Sequence, residues 1–221
     1  MRAALVILRK DLRIEWRTKE SLSSYGVLGV LLLVVFAFAH DPTPTEAPRL
    51  APAVLWVTIV FTGMLGIQRA FAVEREQDCM AGLLGAPIDP AAVYLAKLVG
   101  TLLLLAAMQV VLVPLAIVLL RLDLGGALPG VVLVLVLGDL GFASLGTLFA
   151  AVAMRTRARE VLLPVLLLPL VVPVVIAGVK ATQAALAGGL ADGAEALRVL
   201  AVFDLVFTVA GWLLFQYVVQ D

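Results

Sequence analysis

The chain has 221 residues, of which 63% are hydrophobic and 14% are charged, and its basic and acidic side chains cancel to a net charge of zero. A soluble domain carries roughly 25% charged residues, so this composition excludes an ordinary soluble globular protein. The single cysteine, Cys79, excludes an intramolecular disulfide and a multi-cysteine metal site. The sequence has no G-x-x-x-x-G-K-S/T phosphate-binding loop. Any use of ATP therefore needs an ATPase on another chain.

The N-terminal arm, residues 1–20, predicts an amphipathic helix. Its apolar stripe recurs at spacings of three and four residues: Leu5, Leu8, Leu12 and Trp16. A basic row runs beside that stripe: Arg9, Arg13 and Arg17. Such a helix is typical of the cytoplasmic headgroup layer, where arginines reach lipid phosphates. The simpler alternative is that the arm only anchors the first span through its positive charge.

Six apolar segments follow, and a helix of about 20 apolar residues spans a hydrocarbon core. They cover residues 22–39, 51–73, 98–120, 127–154, 161–179 and 199–219. We therefore predict an all-α polytopic membrane protein with six transmembrane helices in a single membrane domain, residues 1–221. Three prolines (Pro164, Pro169 and Pro173) predict that the fifth span is kinked or broken, because each removes a helical hydrogen bond. Ala37–Ala39 also resembles a signal-peptidase site, but the acidic residues of the arm favour an uncleaved first span.

The distribution of basic residues predicts the orientation of the chain. Of the 16 Lys and Arg residues, four fall on one side of the predicted membrane: Arg49, Arg121, Lys180 and Arg198. The others cluster in the N-terminal arm, around the connection between spans two and three, and in the turn between spans four and five. Because Lys and Arg favour the cytoplasmic side, we expect both termini and these two connections to lie in the cytoplasm.

Two acidic residues fall within predicted spans, where an ionisable side chain costs roughly 2.5–3.5 kcal/mol and is a functional candidate. Asp139 is near the middle of span four, in GDLGFASLG, and Asp204 lies nearer the outer end of span six. Each belongs either to a polar seam or substrate path, or to a hydrogen bond that only packs two helices. His40, the only histidine, is a weak candidate haem ligand because it supplies at most one axial position. We predict no metal site and no enzyme activity of the chain on its own.

Residues 74–92 form an amphipathic connection between spans two and three, called here the coupling segment. It opens with the densest acidic cluster of the chain, in which one arginine also lies: Glu74, Arg75, Glu76 and Asp78. An apolar face follows at helical spacing: Met80, Leu83 and Leu84. Pro87 and Pro90 predict the end of this short helix. An apolar patch with an acidic rim is typical of a helix that docks into a groove of a partner protein, and the alternative is a solvated loop that touches lipid.

The stretch Arg69–Lys97, RAFAVEREQDCMAGLLGAPIDPAAVYLAK, resembles the signature loop of the CcmB family, the permease-like subunits of the cytochrome c maturation system. APAVLWV before it and LLPVLLLPLVVPVVIAGV after it are similar to the same family, so the resemblance covers nearly the whole chain. Ala81 is a departure, since the family usually has Glu at that position. The resemblance implies an exporter-type ABC permease fold with six spans in the bacterial inner membrane.

The resemblance also implies partners and a cargo. The partners are a CcmA-like ATPase that hydrolyses ATP, CcmC-like and CcmD-like membrane subunits, and indirectly the haem chaperone CcmE; a homodimer is left open. Haem is the candidate cargo, and neither an intrinsically bound cofactor nor a nucleic acid partner is expected. In this scheme the ATPase-docking residues lie in the coupling segment: Glu74, Arg75, Glu76, Asp78, Met80, Leu83 and Leu84.

Two other functions stay open at this point. A self-contained channel or secondary transporter for a small solute would favour intramembrane charge pairs and an internal repeat, and the sequence shows neither. A haem-binding membrane protein without transport would need more axial ligands than His40 supplies. We therefore expect the permease subunit of an ATP-driven complex that acts in haem delivery and in release of the haem chaperone.

Overall fold

The computed structural model describes residues 2–18, 20–40, 43, 46–76, 89–153 and 159–220. Within these ranges the chain forms seven α-helices and no strand. They are α1 (Arg2–Thr18), α2 (Glu20–His40), α3 (Ala47–Glu76), α4 (Pro90–Leu119), α5 (Leu128–Ala153), α6 (Arg159–Leu186) and α7 (Ala194–Gln220). The all-α prediction is confirmed, and the predicted helix of the N-terminal arm is α1.

Five helices, α3 to α7, are long and apolar enough to cross a membrane, which makes the chain a multi-pass membrane protein. The apolar part of α2 within the described ranges, Tyr25–Ala39, is shorter. Five of the six predicted spans therefore reach the required length. Some helices also begin earlier than their apolar segments: α4 begins at Pro90 rather than residue 98, and α7 at Ala194 rather than residue 199.

Local capping explains where α4 begins. Asp89 has an extended backbone, and its carboxylate accepts a hydrogen bond from the Ala91 N–H at 2.9 Å. Pro90 then occupies the first helical position, where a missing N–H costs no hydrogen bond. Pro90 therefore begins α4, and the short helix that Pro87 and Pro90 are predicted to end falls on residues outside the described ranges.

Helix α6 continues without a break through Pro164, Pro169 and Pro173, so the alternative of a broken fifth span is wrong. Pro169 and Pro173 lie on the exposed side of the helix, whereas Leu167 and Val171 are buried on the other side. These two prolines thus occupy positions where neighbouring helices do not pack. The helix ends before Gly188, whose φ of 108° favours glycine.

The core of the bundle is formed by α3 and α5, which are mostly buried, while α4, α6 and α7 surround them and expose much of their apolar surface. Helix α5 packs most extensively against α7 and α6. Its small residues permit this close approach. The valines and leucines exposed on the outer helices form the kind of apolar surface that a lipid bilayer covers.

Trp56 on α3 is fully buried at the centre of the bundle. Its ring lies against Gly138 on α5 and Gly178 on α6, where no side chain competes for the space. The indole Nε1–H donates a hydrogen bond to Thr182 Oγ1 at 3.0 Å, and the Thr182 hydroxyl in turn donates to the Gly178 carbonyl at 2.7 Å. One aromatic side chain therefore joins α3, α5 and α6.

Helix α1 packs along α4. Ile7 is buried, and Leu8 lies within 3.7 Å of the Cβ position of Gly100. Leu5 and Leu12 are exposed, so the apolar stripe predicted for the arm is divided between a protein contact and an outer surface. The contacts of Ile7 and Leu8 therefore hold α1 against the bundle.

Candidate functional site

Asp139 is buried at the interface of α4 and α5, with 5% of its surface exposed. Its Oδ1 atom accepts a hydrogen bond from the Gln109 side-chain amide at 2.8 Å. Of the two interpretations left open by the sequence, this contact supports a polar pair that joins two helices.

Asp204 on α7 is equally buried, with 5% exposed, but neither carboxylate oxygen has a hydrogen-bond partner among the described residues. It packs against Gly141 of α5, where a Cβ atom would lie 2.6 Å from Asp204 Oδ1. The sequence placed Asp204 nearer the outer end of its span. In the structure Asp204 lies ten residues from the start of α7 and sixteen from its end, so it is nearer the end at which the sequence placed it.

The two acids lie at similar depth on opposite sides of α5. Asp139 is eleven residues from the start of α5 at Leu128, and Asp204 is ten residues from the start of α7. At 1.5 Å per residue, each is about 15 Å along its helix. Asp139 and Gly141 are two positions apart, which turns the helix by about 200°. Helix α5 therefore separates a satisfied carboxyl on its α4 side from an unsatisfied one on its α7 side.

A second polar contact joins α4, α5 and α7 nearer the other end. The Tyr94 hydroxyl of α4 donates a hydrogen bond to the Ser144 carbonyl at 3.4 Å. The same hydroxyl lies against Gly211 of α7, and the Tyr94 ring packs on Phe215 with centroids 5.5 Å apart. Tyr94 therefore fixes the position of α7 relative to α5 at a point closer than Asp204 to the C-terminal ends of these two helices.

The end of the bundle next to the coupling segment contains a buried ion pair. Lys97 Nζ lies 2.6 Å from Asp11 Oδ2, and the Lys97 side chain is only 5% exposed. Lys10 lies 3.2 Å from the other oxygen of Asp11. This pair connects α1 to the first turns of α4. Lys97 therefore holds two helices together, in addition to being a basic residue next to a predicted span.

Several predicted site residues lie wholly or partly outside the described residues. Glu74, Arg75 and Glu76 belong to the last turn of α3, but the structure does not describe their side chains. The rest of the predicted docking set lies outside the described ranges: Asp78, Met80, Leu83 and Leu84. His40 is the last residue of α2, and its side chain is likewise not described. Among the side chains that are described, no three His, Cys, Asp or Glu residues are grouped to hold a metal ion.

The sequence interpretation missed Gln109 and Lys97. Gln109 is a single neutral amide in a long apolar segment, and such a residue needs a partner inside a membrane just as a carboxyl does. A lone amide in an apolar segment was therefore a sequence signal by which Gln109 could have been identified. The pairing of Lys97 with Asp11, 86 residues away, leaves no comparable pattern in the sequence.

Comparisons with known proteins give matches over nearly the whole chain. The CcmB protein family matches residues 2–215. Heme exporter protein B of Bradyrhizobium diazoefficiens is 32% identical over 214 residues, which cover 96% of this chain and 94% of that protein. Heme exporter protein B of Paracoccus denitrificans is 30% identical over 199 residues, or 90% of each chain, and that of Pseudomonas aeruginosa is 27% identical over 183 residues, or 83% and 82%. The chain belongs to the CcmB family.

Proposed function

We propose that this chain is the transmembrane permease subunit of an ATP-driven ABC complex that acts in haem export or delivery and in release of the haem chaperone during c-type cytochrome assembly. The observation that carries the proposal is the match along nearly the whole chain to proteins named Heme exporter protein B. Membership of this family favours a transport permease rather than an enzyme. Haem would be the substrate, and His40 is a weak candidate for contact with it.

The ATPase is proposed to be a separate CcmA-like chain that docks on the coupling segment. The segment connects α3, in the centre of the bundle, with α4, which holds α1. Because Trp56 of α3 contacts both α5 and α6, a displacement of the coupling segment would be transmitted to the core. The docking set proposed from the sequence is unchanged: Glu74, Arg75, Glu76, Asp78, Met80, Leu83 and Leu84.

The proposal includes the bacterial inner membrane, with both termini in the cytoplasm. It also includes CcmC-like and CcmD-like subunits and, indirectly, the chaperone CcmE. The distribution of Lys and Arg supports this orientation. The exposed apolar faces of α4, α6 and α7 offer surfaces for either lipid or membrane subunits.

Deletion of the gene in its own organism tests the function. We expect the loss of covalently bound haem from c-type cytochromes, seen by haem staining, and recovery when the gene is restored. Unchanged haem staining in the deletion strain would refute the proposal.

The docking set is tested by co-purification of the tagged chain with the ATPase subunit. Leu83→Asp combined with Leu84→Asp should abolish recovery of the ATPase, because charge on the apolar face prevents its burial. Leu128→Asp is the matched control, since Leu128 is exposed at the opposite end of the bundle. Equal recovery with the double variant and the control would exclude this docking surface.

A further inference from the structure

The carboxyl of Asp204 is in an unusual position for an acidic residue in a membrane helix. Both of its oxygen atoms are inaccessible and lack a hydrogen-bond partner among the described residues. Asp139, at similar depth, has the Gln109 amide as its partner. The comparison shows that this bundle can satisfy a buried acid with a neutral donor, and that it does not do so for Asp204.

A second unsatisfied group lies one helical turn further along α7. The Thr208 hydroxyl is also inaccessible and without a partner among the described residues. Residues four apart lie on the same face of a helix, so Thr208 and Asp204 share one face of α7. Gly141 of α5 faces the carboxyl, and Phe203 lies beside it, 3.0 Å from the Gly141 Cβ position. The missing side chain of Gly141 provides the space in which the carboxyl sits.

Among the side chains that the structure describes, the ionisable groups on the neighbouring helices do not supply the missing counter-charge. On α4, Lys97 is paired with Asp11, and the Tyr94 hydroxyl is directed to a backbone carbonyl. On α5, Asp139 lies on the opposite side of the helix. On α6, Lys180 is exposed. On α7 itself, Glu195 and Arg198 lie two and a half and one and a half turns before Asp204, and Tyr217 lies well beyond it and is exposed.

We propose that Asp204 and Thr208 form an intramembrane site that binds one positive charge, either a proton or a monovalent metal cation such as Na+. An ionised carboxylate in this apolar interior is strongly unfavourable without compensation. A proton neutralises it directly, and the resulting O–H becomes a donor. A monovalent cation would be held by the carboxylate and hydroxyl oxygens, the ligand type that hard cations prefer.

Binding of this charge is linked to the packing of α7 on α5. To gain or lose the charge, the carboxyl must reach water, and this requires α7 to move away from Gly141. The charged form of Asp204 therefore favours separation of the two helices, and the neutralised form favours the packed arrangement. The site concerns this chain alone and does not depend on the proposed ATPase partner or on haem.

The site is tested on the purified full-length chain with dicyclohexylcarbodiimide, a hydrophobic reagent for protonated carboxyls. The acid adds across a C=N bond of the reagent and rearranges to an N-acylurea, so all atoms of both partners remain in the product. We expect an adduct at Asp204 by peptide mass spectrometry. If the charge is a proton, the adduct decreases as pH rises; if it is a metal cation, NaCl protects the residue and choline chloride does not. Asp139→Asn should keep the adduct at Asp204.

A stability measurement provides the second readout. The free energy of unfolding of the wild-type chain should fall as pH rises in the proton case, or increase with NaCl in the cation case. Asp204→Asn, which is neutral and of the same shape, should lose that dependence, and Thr208→Val should weaken the NaCl effect in the cation case. The proposal is overturned if Asp204 forms no adduct under any of these conditions and the wild-type chain and Asp204→Asn respond identically to pH and NaCl.

Discussion

Gln109 of α4 and Asp139 of α5 are joined by a hydrogen bond of 2.8 Å between two buried side chains. This is a direct side-chain bond between neighbouring spans, made ten residues before the end of α4 and eleven residues after the start of α5. In a membrane interior no water replaces a lost partner. The two residues therefore contribute as a pair, and removal of one is expected to cost more than removal of both.

Gln109→Leu should lower the free energy of unfolding by about 1–3 kcal/mol, because it leaves the Asp139 acceptor buried without a partner. Asp139→Asn keeps an acceptor oxygen for Gln109, and we expect a loss of no more than about 0.6 kcal/mol, the average for interhelical hydrogen bonds in a membrane protein. Unfolding by SDS in mixed micelles measures both values. A double variant, Gln109→Leu with Asp139→Leu, that is no more stable than Gln109→Leu alone would contradict the pairing.

Trp56 leads to a prediction about steric fit. In Gly178→Ala the new Cβ would lie 2.5 Å from Trp56 Cε2, and overpacking of this kind costs about 1–3 kcal/mol. Gly26→Ala is the control, because nothing lies within 4 Å of its Cβ position and alanine favours the helix by about 1 kcal/mol. The smaller ring of Trp56→Phe should recover part of the loss in Gly178→Ala. Equal stability of the two alanine variants in the same SDS titration would show that the ring does not fill this space.

Hydrophobic segments predicted most of the fold, because an apolar run of span length has few alternatives to a membrane helix. The helix ends were less predictable. The apolar segment predicted for this span begins near residue 98. The Asp89 cap and Pro90 start α4 earlier, and its first turns contain polar and small residues. The continuity of α6 was also not predictable, since it depends on Pro169 and Pro173 facing away from the neighbouring helices.

The candidate site was predictable only in part. Asp139 and Asp204 stand out because ionisable residues are rare in spans. Their different environments depend on which residues of other helices face them, and that follows from tertiary packing rather than periodicity. The contact between Trp56 and Thr182 joins residues 126 positions apart and leaves no local pattern. The docking function of the coupling segment stays a prediction.

Glu46 at the start of α3 leads to a prediction about pH. The Thr43 hydroxyl donates to Glu46 Oε2 at 2.7 Å and the Thr43 N–H donates to the same atom at 3.3 Å, and these bonds lower the pKa of Glu46. A lowered pKa means that the stabilising contribution is present above the unfolded-state pKa and is lost as pH falls through the folded-state pKa. Thr43→Val should raise the pKa of Glu46 toward its ordinary value, whereas Thr43→Ser should keep it low.

The measurement is a pH titration of ¹³C-labelled glutamate side chains by NMR in micelles, with Glu46→Gln to assign the resonance. Loss of the Thr43 hydroxyl should move the Glu46 midpoint upward. The same Glu46 midpoint in the valine and serine variants would rule out the hydroxyl as the main cause.

The Asp11–Lys97 pair should hold α1 against α4. Lys97 is 5% exposed and Asp11 is 21% exposed, so Asp11→Asn leaves a buried ammonium without this counter-charge. Loss of one partner from a fully buried pair costs about 3–5 kcal/mol. We expect a smaller cost here, since Asp11 is partly exposed, and detachment of α1 as the structural result.

Disulfide formation between Leu8→Cys and Gly100→Cys measures that detachment, because these two positions are in contact. The experiment uses a Cys79→Ser background, which removes the only native thiol. Asp11→Asn should reduce the disulfide yield several-fold, while Asp192→Asn, at an exposed position outside this contact, should not. The exchanged pair, Asp11→Lys with Lys97→Asp, should restore part of the yield because the attraction between the two helices returns. An undiminished yield in Asp11→Asn would mean that apolar contacts such as that of Ile7 hold α1 in place without the ion pair.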